Sequence, residues 1–148
     1  MLYMLDNIDK AILLCLQQDA RTPYSKLGRK VGLTGPAVSE RVRRLEEMEV
    51  IAGYHATIND AAVGYPISAV MEVSYPSSHA QRMYALASKL PEILECCHLT
   101  GNSSVVLRVV ARSVQHLETL MKAVQAVGTT QTSVILSTPV SKRVFRVG

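Results

Sequence analysis

Three residues, Gly32-Leu33-Thr34, separate two stretches that both carry helical apolar spacing. Tyr24, Leu27 and Val31 recur at helical intervals before them, and Val38, Val42 and Leu45 after them. Gly32 stands where a helix end favours a left-handed residue, and Thr34 is placed to cap the next helix. Pro23 suits the opening of the first of these helices, and Pro36 the first turn of the second, which extends to about Met48. Two helices joined by about three residues with a glycine in the turn form a helix-turn-helix. Gly28 lies in mid-helix, where glycine costs ~1 kcal/mol against alanine. A close approach of the two helices explains it.

A third helix precedes the pair. Asp6 is its expected N-cap, Asp9 is favourable in its first turn, and it runs from Asn7 to Gln18. Leu5, Ile8, Ile12, Cys15 and Leu16 make its apolar stripe, so Cys15 reads as core. Charge is concentrated on the pair. From Arg21 to Arg44 seven basic residues face one acid, Glu40, a net of +6 inside a neutral first sixty residues. An isolated basic block is often a solvated helix face. On a helix-turn-helix it points to a polyanion, with the second helix entering a DNA major groove by its N-terminal end. Opposite the stripe of that helix lie Pro36, Glu40, Arg43, Arg44 and Glu47, with Ser39 on one flank.

The run Leu33-Thr34-Gly35-Pro36-Ala37-Val38-Ser39-Glu40-Arg41-Val42-Arg43-Arg44-Leu45-Glu46 resembles the recognition-helix signature of the Lrp/AsnC (feast/famine) family. Val50-Ile51-Ala52-Gly53-Tyr54-His55-Ala56, Leu5-Asp6-Asn7-Ile8-Asp9 and Asp19-Ala20-Arg21 are similar to flanking segments of that family. The resemblance implies an α+β chain: a winged helix-turn-helix domain over 1–56, a linker over 57–66, and a ferredoxin-like βαββαβ (RAM-type) domain over 67–148. It also implies a transcriptional regulator that binds double-stranded DNA as a homodimer or, as a tetramer of dimers, an octamer. Expected DNA-binding residues are Tyr24, Ser25, Thr34, Gly35, Pro36, Ser39, Glu40, Arg41, Arg43 and Arg44. Arg43 and Arg44 would meet phosphates, and Ser39, Glu40 and Arg41 base edges or backbone. Arg41 flanks the buried side, and a structural ion pair is an equal reading. Amides near Tyr24 and Ser25 could take a phosphate. Glu49 stands where the family usually closes this helix with glycine, so a strained or longer last turn is expected.

The second half reads as a doubled β-α-β unit. Ile67 to Tyr75 alternates as a strand, with Val70 and Val106 assigned to a sheet face that no helix covers. Ser78 and Gln81 suggest a capping box before a helix that buries Met83, Leu86, Ala87 and Leu90 and stops at Pro91. Ile93–Thr100 and Val105–Ala111 are expected strands. Ser113 caps a helix that turns Val114, Leu117, Leu120, Met121 and Val124 inward, and Val134–Thr138 is the expected last strand. The turn Gly101-Asn102-Ser103-Ser104 resembles the family's effector loop, which commonly reads Gly-Asp-Tyr/Phe-Asp, but both acids and the aromatic are gone. By that resemblance Thr100, Gly101, Asn102, Ser103 and Ser104, with Thr132 and Thr138, are the candidate amino-acid effector site. A plain polar turn is the competing reading.

No cofactor or metal is expected. His55, His79, His98 and His116 lack ligand spacing, and no phosphate loop or nucleophile motif occurs. Three cysteines, two of them adjacent, argue against a disulfide framework. With 48% apolar and 19% charged residues the chain is no disordered tail, and no apolar run spans a membrane. The opening residues carry no secretory pattern, so a cytoplasmic site is expected. Two alternatives are an enzyme resembling the sirohaem decarboxylases, which share this architecture, and a low-specificity architectural DNA-binding protein.

Overall fold

The computed structural model describes residues 4–141 together with Val144, Phe145 and Val147. The chain separates into two compact units, Met1–Ala56 with Val140–Gly148, and Thr57–Pro139.

The first unit holds α1 (Asn7–Gln18), α2 (Tyr24–Val31) and α3 (Gly35–Glu47). Each contributes to one core: Ile12, Leu13 and Leu16 from α1, Leu27 from α2, and Val38, Val42 and Leu45 from α3. Leu13 joins the stripe expected for α1. Asp6 caps that helix as expected, accepting from the Asp9 amide at 2.7 Å, and Asp9 completes a capping box by accepting from the Asp6 amide at 3.2 Å. Glu or Gln normally fills the Asp9 role. The shorter side chain keeps Asp9 inside, at 1% exposure. Arg41 of α3 offsets this burial. Its Nη1 donates to Asp6 and to Asp9, each at 2.7 Å, so one guanidinium ties the start of α1 to α3. The Asp9 amide, and then Arg41, hold the Asp6 carboxyl below its ordinary value.

Gly32 closes α2 in the left-handed region at φ 73°. At position 28 a Cβ would lie 2.3 Å from the Leu33 carbonyl oxygen, so glycine there is a steric requirement of the turn. The Leu33 amide in turn donates to the Gly28 carbonyl at 2.9 Å. Thr34 caps α3, accepting from the Ala37 amide at 3.4 Å. Beyond α3, Glu49 is the one non-glycine among the described residues with positive φ, at 56°. The expected strain at this helix end is present. The expected wing is not built from strands. The Val50 and Ile51 amides turn back to the Leu45 carbonyl at 2.9 and 3.1 Å, and residues 49–60 hold no strand. Amides spent on a helix end are not offered to a ladder.

The second unit runs β1 (Ile67–Ser74), α4 (Ala80–Lys89), β2 (Ile93–His98), β3 (Val105–Ala111), α5 (Val114–Gln125) and β4 (Thr129–Val134). The strands are antiparallel in the order β2-β3-β1-β4, a ferredoxin-like sheet. Alternation gives each strand two faces. Ala69, Met71 and Val73 of β1 and Val105, Leu107, Val109 and Ala111 of β3 pack with Met83, Leu117, Leu120 and Val124 of the helices. Val70, Glu72, Val106 and Arg108 occupy the other face, with Val70 opposite Arg108 and Glu72 opposite Val106.

Several local expectations change. Ser78 and Gln81 form no capping box: Ser77–His79 is a 3-10 turn, and α4 starts after His79 without a side-chain cap. Val114 is 59% exposed, because it precedes the buried row Leu117, Leu120 and Val124. The last strand lies at Thr129–Val134, not Val134–Thr138, and Leu136 beyond it is 95% exposed. The apolar run Val134-Ile135-Leu136 suggests the later position, whereas the pairing uses a polar edge strand against β1.

Three substitutions read these constraints by thermal or denaturant unfolding. Alanine at Gly28 gains ~1 kcal/mol of helix propensity but meets a backbone oxygen, so a net loss of about 2 kcal/mol is expected. Glu49→Gly relieves the left-handed residue and is expected to add about 0.5–1 kcal/mol. Arg41→Ala leaves Asp9 buried without its guanidinium and is expected to cost about 2–4 kcal/mol.

Candidate nucleic-acid interface and ligand loop

The tight turn brings the starts of α2 and α3 together. A Cβ on Gly35 would lie 3.6 Å from the Ser25 amide nitrogen, so Tyr24, Ser25, Thr34, Gly35 and Pro36 form one end of the unit. No side chain caps the first amides of α2. Unpaired amides at a helix start carry partial positive charge and suit an anionic oxygen. Along α3, Pro36, Ser39, Glu40, Arg43 and Arg44 are exposed, while Val38, Val42 and Leu45 are buried.

The arginines divide into two kinds. Arg41 is held by Asp6 and Asp9, so of its two sequence readings the geometry supports the structural ion pair. Arg43 pairs with Glu40 and Glu47 one turn to either side, all three more than half exposed. Exposed pairs of this kind are worth little and exchange readily for another anion. Arg43 holds the Glu40 carboxyl below its usual range, so Glu40 serves here to orient a guanidinium. Glu46 accepts the Tyr54 hydroxyl at 2.7 Å, and burial together with that carboxylate pushes the phenol pKa up.

The +6 block is thus partly neutralised on α3, and much of its exposed positive charge lies on α2. Lys26, Arg29 and Lys30 are exposed there. They are not among the residues expected to meet DNA, although the basic block contains them. Arg29 and Lys30 lie in the last turn of α2.

In the second unit the loop Thr100–Ser104 is stitched to the end of β1. The Ser104 amide donates to the Val73 carbonyl at 2.8 Å, and its hydroxyl accepts from the Tyr75 amide at 3.1 Å. The Ser74 hydroxyl donates to the Asn102 carbonyl at 3.1 Å. Gly101 takes φ 120°, a conformation that suits glycine. The Ser103 hydroxyl donates to Glu72 at 3.0 Å. An acid therefore reaches the loop from β1, although the loop itself has none. Sequence reading misses Glu72 because the pairing joins a strand to a distant loop.

Thr132 and Thr138 do not join this set. Thr132 lies opposite Met71 on the helix-covered face, away from Glu72, and its buried hydroxyl has no hydrogen-bond partner among the described residues. Thr138 lies beyond β4, exposed. Cys96 packs against the core, and Cys97, on the opposite face, has its thiol on Glu95 at 3.5 Å. Burial raises the first thiol pKa and the Glu95 carboxylate the second, so neither is poised as a thiolate. Among the described residues no group of three or more His, Cys, Asp or Glu is placed to hold a metal. No helix of the described residues is long and apolar enough to cross a membrane.

Comparison with known proteins covers both units. An AsnC-type helix-turn-helix domain profile matches residues 5–46, and a Lrp/AsnC ligand binding domain profile matches residues 68–145. The HTH-type transcriptional regulator AldR of Mycolicibacterium smegmatis is 36% identical over 138 residues, covering 88% of this chain and 81% of its own. LrpC of Bacillus subtilis is 32% identical over 133 residues, covering 90% and 92%, and its structure superposes with a TM-score of 0.88 at 31% identity, covering 95% of this chain and all of that one. A feast or famine regulatory protein of Mycobacterium tuberculosis, solved in complex with L-methionine, superposes with a TM-score of 0.90 at 33% identity, covering 97% of this chain and all of that one. The chain belongs to the Lrp/AsnC family of transcriptional regulators, with a DNA-binding helix-turn-helix domain followed by a ligand-binding domain.

Proposed function

We propose that the chain reads duplex DNA with α3 as a homodimer, and that a small ligand bearing a cationic amine, an amino acid foremost, modulates this at the Gly101 loop. One observation carries the DNA reading. The starts of α2 and α3 meet at Gly35 and Ser25 on a unit whose α3 buries one face and exposes Ser39, Arg43 and Arg44 on the other. The α2 start, with Tyr24 and Ser25, takes one phosphate, and Arg43 and Arg44 take others. Thr34, Gly35, Pro36 and Ser39 approach the base edges in the major groove. Glu40 holds Arg43 until a phosphate replaces it, and Lys26, Arg29 and Lys30 widen the electrostatic footprint.

The uncovered sheet face carrying Val70 and Val106 supports pairing of two copies, and a two-fold dimer places two α3 helices on one duplex. Dimers assemble further into an octamer. At the ligand loop, Glu72 supplies the carboxylate that the loop lacks, with the Ser103 hydroxyl beside it, and an ammonium group satisfies both. A chain with three free cysteines acting on DNA fits the cytoplasm.

The salt dependence of DNA binding tests the assignment of the arginines. Replacing both Arg43 and Arg44 by alanine should weaken binding across all duplex sequences. It should also flatten the plot of log K against log salt by about 0.9 for each phosphate that is no longer neutralised. Fluorescence anisotropy at several salt concentrations measures this, and an unchanged slope removes both residues from the interface.

A further inference from the structure

The helix assigned above to the duplex is not a basic helix. Outside its buried row, α3 presents Arg43 and Arg44 against three exposed carboxylates, Glu40, Glu46 and Glu47, because Arg41 is held by Asp6 and Asp9. The exposed surface of α2, by contrast, carries Lys26, Arg29 and Lys30 and no acid. On the DNA reading, α2 supplies attraction to a polyanion, while α3 brings carboxylates towards phosphates that repel them. An acid so placed is unfavourable unless it meets a hydrogen-bond donor.

Glu40 is the acid best placed to meet one. It is the sixth residue of α3, one turn after Pro36 and next to Ser39, all three exposed, whereas Glu46 and Glu47 close the helix. A recognition helix reads base edges with its N-terminal residues. In the free protein Glu40 is occupied. Arg43 donates through Nε to its Oε2 at 3.2 Å and through Nη2 to its Oε1, while Nη1 reaches Glu47. The guanidinium holds the Glu40 carboxyl below its usual range, so the group is ionised and only accepts. All three side chains are more than half exposed, so the fork opens at little cost when Arg43 turns to a phosphate. Glu40 is then a bare carboxylate in the groove.

We infer that Glu40 determines specificity for cytosine, its carboxylate accepting from the exocyclic N4 amine once Arg43 has moved to a phosphate. The inference rests on the DNA reading above. In the major groove guanine presents N7 and O6 and thymine presents O4, all acceptors that repel a carboxylate. Adenine offers its N6 amine beside N7, another acceptor. Cytosine offers a donor with no acceptor beside it. The same acid acts against unrelated duplex: where no cytosine amine is met, releasing Arg43 leaves Glu40 uncompensated, and that penalty adds to discrimination.

The test selects duplexes for the full-length protein from a random-sequence pool. Each base pair of the enriched duplex is then changed in turn and titrated by fluorescence anisotropy. The duplex should hold a C·G pair whose replacement by any other pair weakens wild-type binding about 5- to 20-fold. Glu40→Ala should lower that penalty to less than about twofold and bind unrelated duplex about threefold more tightly. Glu40→Gln should prefer A·T at the same position, since an amide pairs with adenine N6 and N7. Glu47→Ala also loosens Arg43 but lies at the far end of α3, so it should leave the cytosine preference in place. Both acids are exposed and alanine favours helix, so the variants keep the fold. Penalties that match at every position between the wild type and Glu40→Ala overturn the inference and leave the DNA reading standing. A cytosine preference that Glu47→Ala removes as fully as Glu40→Ala belongs to Arg43 and overturns it too. A pool in which the wild type enriches no sequence overturns the DNA reading, and this inference with it.

Discussion

The distance between position 28 and the Leu33 carbonyl governs the first unit. With hydrogen in place of a methyl group at Gly28, the chain can leave α2, turn through Gly32, Leu33 and Thr34, and start α3 against Ser25. Every feature of this end of the unit follows from that turn. It sets the uncapped start of α2 beside the capped start of α3, and it turns Val38, Val42 and Leu45 inward while Ser39, Arg43 and Arg44 remain outside. The helix-propensity cost of one glycine is small beside what the turn positions.

Charge is then sorted by depth. A guanidinium at position 41 reaches Asp9, a carboxylate that is 1% exposed and fixed by the α1 capping box. A guanidinium two residues later reaches only exposed Glu40 and Glu47. The first pair joins α1 to α3 and is broken only by damaging the core, because an uncompensated buried carboxylate is costly. The second lies between exposed side chains and is worth little. Two arginines of the same basic run are therefore held differently: one inside a partly buried cluster, one on the surface.

Much of this was legible in the sequence because local chemistry dictates it. The bounds of α1 and α2, the caps at Asp6, Gly32, Thr34 and Ser113, and the strain at Glu49 all depend on residues within one turn of each other. What was not legible depends on distant partners. The choice between two roles for Arg41 needed Asp9, 32 residues away. The acid that reaches the Gly101 loop, Glu72, is 31 residues from Ser103. The β4 strand was misplaced because its pairing with β1 overrides its weak apolar pattern. A hydrogen bond between Gln17 and Phe145, 128 positions apart, leaves no trace in spacing.

The central claim is that α3, presented by this turn, reads a DNA sequence and does not merely attract phosphates. Its most direct test is a fluorescence-anisotropy titration of the purified protein with the duplex upstream of its own gene. The titration is run with and without a large excess of unrelated duplex, at low and at physiological salt. Binding that persists against the competitor at both salts is the predicted result, because base readout is not screened as phosphate attraction is. Binding that disappears on adding the competitor, or is absent even at low salt, contradicts it.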